Sequence, residues 1–313
     1  SERNAPPGAR PKMQPTNSEG YRGPGYAQSL VHVGQPVALK RSGGWCLLRS
    51  IEGAGCCDAT GPYPFYVCDD WSRLAEDVAA LAEAAVSLTI VTDPFADVSQ
   101  DALFEIFPDL CLAYKHHYVV HMGTPTADGH HRRNIRAGLR NTTVEIEEQA
   151  ESWLPDWARL YDHLIHRHSI EGVARFSPES FARQFRLPGM LVARALADGR
   201  VLGMTLWAIH GDRAYYHLGA YDEQGYRARA SYAMFSRVFE YLTSRGVREV
   251  GLGAGAGAQA SSVGLERFKR GWATGTKRVY LCGRILDQEA YRAVCQSRGR
   301  FVTQGYFPAY RAA

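Results

Sequence analysis

Three apolar runs, Met190–Ala197, Val201–His210 and Ala214–Tyr221, follow one another with only Asp198-Gly199 and Gly211-Asp212 at the joints. Asp-Gly and Gly-Asp between alternating apolar segments are strong hairpin signals, so this stretch has to be a meander of three antiparallel strands. The chain then changes period. A long helix over about Arg229–Ser244, a strand at Val247–Leu252, a helix at Ser262–Trp272 and a strand at Arg278–Ile285 complete a sheet with helices on its faces. The same order, helix-strand-helix-strand, occurs earlier: Ser72–Val86 (with Leu74, Val78, Leu81 and Ala85 on one face), Leu88–Thr92, Gln100–Phe107 and Cys111–His121. Residue identity is not shared, but the repeat of order suggests two α/β halves facing each other across a groove. Short strand-like runs precede the first half at Trp45–Ser50 and Tyr63–Cys68. The second half opens with a helix whose apolar face is Trp153, Trp157, Leu160, Tyr161, Leu164, Ile165 and His168, and another starts at the cap Ser177-Pro178.

A chain of 313 residues, 45% hydrophobic and 22% charged, suits a globular protein of two domains. The polar stretch Thr124–His131 and the basic segment Arg132–Arg140 mark the boundary. The expected division is 1–28 as a disordered leader, 29–140 as the N-terminal domain and 141–313 as the C-terminal domain. The leader is inferred from five Pro and four Gly within Ser1–Gly25 and no apolar core there. No run of 18 apolar residues suggests a membrane span. Seven cysteines, an odd number without a C-x-x-C pair, point to reduced thiols and a cytoplasmic location.

Charge is uneven although the net value is only +4. Residues 1–140 carry 13 basic and 15 acidic side chains, whereas residues 225–313 carry 15 and 5. A basic C-terminal region attracts phosphate, whether on a coenzyme or on RNA; a solvated basic surface without a partner is the plainer alternative. Within it, Val250-Gly-Leu-Gly-Ala-Gly-Ala-Gly-Ala bares the backbone at Gly251, Gly253, Gly255 and Gly257, so that a ligand or a neighbouring strand can come close. A dinucleotide-binding reading of Gly253-x-Gly255-x-x-Ala258 lacks both the remaining sheet and the acidic residue some 20 positions on. Ten residues later, Gly264-Leu-Glu-Arg-Phe-Lys-Arg-Gly-Trp272 carries Lys269, one of only five lysines among 36 basic residues. Lys is a compact point charge on a flexible stem, not equivalent to Arg. Its plain alternative role is to neutralise a helix C-terminus.

His217 and Asp222 are candidate bases at the end of the central strand. Strict alternation there puts Tyr215, His217 and Gly219 on one face, and Tyr216, Leu218 and Ala220 on the other. Tyr215, Tyr216 and Tyr232 are candidate pocket walls or proton relays, with aromatic core as the alternative. Lys115-His116-His117 and His130-His131-Arg132-Arg133, with Arg136 and Arg140, are candidates for the groove between halves, to hold an anionic group, with a solvated basic linker as the alternative. His163, His166 and His168 do not share one helical face, so no metal site is expected.

Asp198-Gly-Arg-Val-Leu-Gly203, Tyr215-Tyr-His-Leu-Gly-Ala-Tyr221, Gly225-Tyr-Arg-Ala-Arg-Ala-Ser-Tyr232 and above all Gly264–Trp272 resemble the Fem peptidyltransferase branch of the GNAT acyltransferases. The resemblance covers about residues 30–311, better in the second half. It implies an α/β (α+β) fold of two tandem GNAT-like domains, each a mixed, mostly antiparallel sheet flanked by helices. It also implies an N-acyltransferase that moves an aminoacyl group from aminoacyl-tRNA to the amine of a small-molecule or peptide acceptor, of natural-product or cell-wall type. Acyl-CoA is the alternative donor, a catalytically silent binding protein the second alternative, and no tightly bound cofactor is implied. One departure stands out: where GNAT enzymes hold the CoA pyrophosphate on an Arg/Gln-x-x-Gly-x-Gly/Ala loop, this chain reads Arg227-Ala-Arg-Ala-Ser-Tyr. Side chains replace the bare backbone that would cradle phosphate, which favours tRNA. On this reading Lys269, His217, Tyr216 and Asp222 are catalytic candidates. Arg227, Arg229, Tyr232, Gly253, Gly255, Phe268 and Arg270 face the donor, and Lys115, His117, Arg132, Arg136, Trp207 and Tyr215 face the acceptor.

Overall fold

The computed structural model describes residues 19–124, 128–168, 175–255, 262–300 and 305–312, with only the backbone at 167–168 and 262–263. Residues 1–18 of the expected leader, and Gly257 and Ala258 of the glycine stretch, lie outside the described residues. Among those described, the strands are β1 (Gln35–Leu39), β2 (Gly44–Ile51), β3 (Cys56–Thr60), β4 (Ser87–Val91), β5 (Leu110–His121), β6 (Thr143–Glu148), β7 (Met190–Ala197), β8 (Arg200–His210), β9 (Arg213–Tyr221), β10 (Glu249–Ala254) and β11 (Gly275–Ile285). The α-helices are α1 (Pro24–Ser29), α2 (Leu74–Ala80), α3 (Gln100–Ile106), α4 (Gly129–Asn141), α5 (Leu154–His168), α6 (Pro178–Gln184), α7 (Glu223–Ala228), α8 (Ala230–Ser244), α9 (Ser262–Trp272) and α10 (Gln288–Ser297).

All eleven strands join in one sheet, in the order β1-β2-β3-β4-β11-β5-β10-β9-β8-β7-β6. The pairs are antiparallel except β3/β4 and β9/β10. The meander β7-β8-β9 forms as its Asp-Gly and Gly-Asp joints dictate. The two halves do not face each other as separate sheets. β11, the last strand in sequence, lies between β4 and β5, and β5 lies between β11 and β10. Adjacent residues show which side of the sheet each core occupies. Val119 of β5 and Val91 of β4 point to the core under α1, α5 and α6. Their neighbours Val120 and Ile90 point to the opposite face, covered by α8 and α9 near β5 and by α2 and α3 near β4.

Four local expectations are corrected. Part of the expected leader is structured: α1 and the 3-10 turn Gly20–Arg22 bury Tyr21 and Tyr26 against the sheet, an aromatic anchor that a Pro- and Gly-rich composition hides. The basic segment at Arg132–Arg140 is the helix α4, capped by Asp128, whose carboxylate accepts the His131 N–H at 2.7 Å. The run Tyr63–Cys68 makes only an isolated bridge, Tyr66 to Thr92, and the strand lies before it, at β3. Strict alternation fails on β9, because the register jumps from Trp207↔Tyr216 to Leu206↔Leu218. His217 is the extra residue of a bulge. Leu218 and Ala220 therefore join Tyr215 at the first face, while Tyr216 and Tyr221 pack at the second.

Candidate active site

β9 and β10 pair over only three residues each, Arg213–Tyr215 with Glu249–Gly251. Beyond that point β9 stays with β8, and β10 stays with β5 through a bulge between Gly251 and Gly253. The two parallel strands therefore part, and the gap lies in the body of the sheet. Into this gap α9 directs Lys269 from the α8 side. Its ammonium donates to the Ala254 carbonyl at 2.7 Å and stands 5.7 Å from the centre of the Tyr216 ring. A side chain at Gly253 would press on Nζ, and Gly253 also has φ +77°, so glycine serves twice at this position.

Lys269 is buried, and burial, with Lys115 nearby adding to it, brings its pKa down to about 8. A desolvated amine with that value sits close to neutrality, charged yet able to exchange a proton. The amine reaches a strand carbonyl rather than the end of its own helix, so helix neutralisation does not describe it. Tyr216 and Tyr221 share a side-chain hydrogen bond, and burial holds the Tyr216 hydroxyl well above its ordinary range. The bare Cα of Gly219 makes room for both hydroxyls.

The flanks of Lys269 are fixed from α4. His131 lies between the Phe268 carbonyl at 3.0 Å and the Asp128 carboxylate at 3.2 Å, with Tyr232, Phe268 and Trp272 around it. A side chain at Gly271 would fall inside the His131 ring, which explains the glycine of the Phe-Lys-Arg-Gly-Trp motif. Glu266, one turn before Arg270, accepts the Tyr118 hydroxyl at 3.1 Å.

The other sequence candidates disperse. His217 lies on the far face of β9 from Tyr216, inside the α1–α6 core. The Gln184 carbonyl oxygen can only accept, so Nε2 carries the proton (3.1 Å) and Nδ1 accepts from Tyr21 (2.9 Å). Burial lowers its pKa to about 3, so it is neutral at physiological pH, and both nitrogens are engaged. Asp222 caps α7: one oxygen accepts the Gly225 N–H at 2.8 Å, and the other binds Arg200 at 2.9 Å, with Arg159 at 4.0 Å. It holds the β9–α7 corner. Asp222→Asn is expected to cost about 1 kcal/mol, because asparagine keeps the cap but loses the pairing with two solvent-accessible arginines. A urea titration checks the loss, and an unchanged pH profile of turnover separates this role from that of a base.

Trp207 is wholly buried, donating to Thr205, and Tyr215 is buried, donating to Asp93 at 3.1 Å. Arg132 and Arg136 are exposed on α4, on the α8 side, whereas His117 shares the opposite face of β5 with Val119. The first-half basic clusters are thus split between the two faces. Arg227 is exposed, 3.8 Å from Glu223. Arg229 joins α7 to α8 in a left-handed conformation, φ 63°, and its carbonyl lies against Gly138 of α4. Tyr221, Glu266, Tyr118 and His131 were not picked out for the places they take at the site. Only the Asp128 cap, three residues before His131, gave a local sign of any of them.

The buried Lys269 amine thus stands in the gap between two parting parallel strands, framed by hydroxyls and a glycine bulge. Residues 129–270 match the family model described as acetyltransferase (GNAT) domain. Among solved structures, FemX matches with a TM-score of 0.68 and 14% identity, over 90% of this chain and 95% of that one. The C-terminal domain of a putative lysylphosphatidylglycerol synthetase from Agrobacterium fabrum matches with a TM-score of 0.60 and 16% identity, over 87% and 90%. L-PGS from Bacillus licheniformis matches with a TM-score of 0.55 and 14% identity, over 86% and 93%. A search of the curated proteins finds no match. Residues 129–270 are thus similar to a GNAT acetyltransferase domain, and the chain as a whole shares the fold of FemX.

Proposed function

We propose that the protein is an aminoacyltransferase that moves an aminoacyl group from tRNA to the amine of a small-molecule or peptide acceptor. The observation that carries this reading is the pairing of Lys269 in the β9/β10 gap with an altered phosphate corner. Where a CoA-binding loop would offer bare N–H groups, Arg229 stands at the start of α8 and α4 covers its backbone. The Fem-like fold supports the same donor.

The acceptor amine attacks the ester carbonyl, a C–N bond forms, the bond to the ribose oxygen breaks, and that oxygen takes a proton. Lys269, charged below about pH 8, is placed to stabilise the oxyanion or to give the leaving oxygen its proton. A route for the amine proton through Tyr216 and Tyr221 fits their shared bond.

The protein, incubated with total charged tRNA and a panel of amines, is expected to accelerate deacylation in step with amide formation. Consumption of acetyl-CoA with no effect on charged tRNA would establish the competing reading, a CoA-dependent acetyltransferase, which the description of the matching family favours.

A further inference from the structure

β5 is the sixth of eleven strands, yet five consecutive residues in it, Leu112–His116, are exposed. A central strand is ordinarily covered on at least one face by packed elements. On the face shared with Val119, the exposed row is basic. Lys115 belongs to it, and its ammonium lies 4.7 Å from the centre of the Tyr114 ring. His117 comes next, directly opposite Lys277 of β11. Lys115 and Lys269 act on the His117 ring and Lys277 is its cross-strand partner, so three of the chain's five lysines are grouped around this histidine.

Among the described residues neither Lys115 nor Lys277 makes an ion pair, and β5 and β11 contain no Asp or Glu. His117 is more than nine-tenths buried, and its Nδ1 has no hydrogen-bond partner. The charges acting on its ring are those of Lys269 and Lys115, both positive. An unpaired buried nitrogen costs free energy until a hydrogen-bond partner completes it, and two neighbouring cations favour an anionic one.

We propose that the row Lys115, His117 and Lys277 binds an anionic group, a carboxylate or a phosphate, carried by the acceptor beside its amine. The aminoacyl donor would approach Lys269 from the α9 side, and the anionic amine from the opposite face. The class of acceptor so defined, an amino acid or an aminoalkyl phosphate rather than a neutral amine, rests on the transferase reading above. The site itself does not.

Thermal shift with inorganic phosphate and with malonate, at constant ionic strength, tests the site without any donor. The wild type is expected to gain several degrees with at least one of them, and the better anion tells phosphate from carboxylate. Lys115→Ala with Lys277→Ala is expected to lose that gain, while Lys40→Ala with Arg41→Ala, equal in charge and distant, keeps it. His117→Phe, which removes no hydrogen bond, reports whether the ring takes part if the lysine variant is unstable. No differential shift in the wild type overturns the proposal. So does loss of tRNA affinity in the lysine variant with the anion response intact, because the row would then belong to the donor. An anion response alongside absent aminoacyl transfer would instead sink the transferase reading and leave the site standing. In turnover, amino acids against their amides, and aminoalkyl phosphates against amino alcohols, are expected to differ at least tenfold in KM, a difference the lysine variant erases.

Discussion

Lys269→Met should leave a protein that is more stable than the wild type and nearly inactive. Burial brings the amine from 10.5 down to about 8, so the fold holds the ammonium less well than the unfolded chain does. A shift of that size corresponds to about 3 kcal/mol of penalty in the charged state. The sign follows from proton binding. Between about pH 8 and the unfolded value the unfolded chain binds more protons, so stability rises with pH across that window, and the full penalty stands below it. Methionine has similar length and no charge. It recovers the penalty less the hydrogen bond to Ala254, a net gain of about 1–2 kcal/mol at pH 7. Turnover should fall by roughly 10²–10³, the usual loss of an oxyanion donor. Wild-type activity should also fall as pH rises through about 8, where the amine loses its proton. Urea titrations at pH 7 and pH 10 check the first half, since the advantage of methionine must shrink at the higher pH. If Lys269→Met turns over normally with a stable fold, the site has been placed wrongly.

The second large effect is expected at Gly271. An alanine methyl there would overlap the His131 ring. The ring cannot slip aside, because the Phe268 carbonyl, Asp128 and three aromatic neighbours hold it. Helices α4 and α9 must separate instead, at about 3 kcal/mol, the upper part of the range for overpacking. Because Lys269 lies two residues before Gly271 on the same helix, turnover should drop with it. The test is a double-mutant cycle. His131→Ala removes the obstacle, so the pair Gly271→Ala and His131→Ala should be more stable than the sum of the single losses by 1 kcal/mol or more. Additive losses would show that α9 does not depend on α4 in this way.

Much of the second half was legible. The β7-β8-β9 meander and the helix at Ser262–Trp272 are written in local period and turn residues, and these operate within a dozen positions. Lys269 was legible as a scarce lysine in a motif. What failed was whatever depends on distant chain. Tyr21 and Tyr26 looked like part of a leader because their partners, His217 and the Tyr63 carbonyl, lie far along the sequence. The basic helix α4 looked like a linker because only His131 and Gly138 of it are buried, and charge hides that face. His217 looked like a base because Tyr21 and Gln184, which engage both its nitrogens, lie far along the chain.

The sequence by itself determined most elements of the second half and the glycines at the strand end, and it singled out the lysine proposed to carry chemistry. Only the tertiary structure decided where that residue points. β11 enters between β4 and β5, β10 leaves β9 after three paired residues, and Lys269 fills the opening. Strand order and strand separation arise from pairings across one to two hundred residues, and no local periodicity encodes them. The same long-range pairing sets Lys277 beside His117 and leaves the centre of the sheet bare and basic.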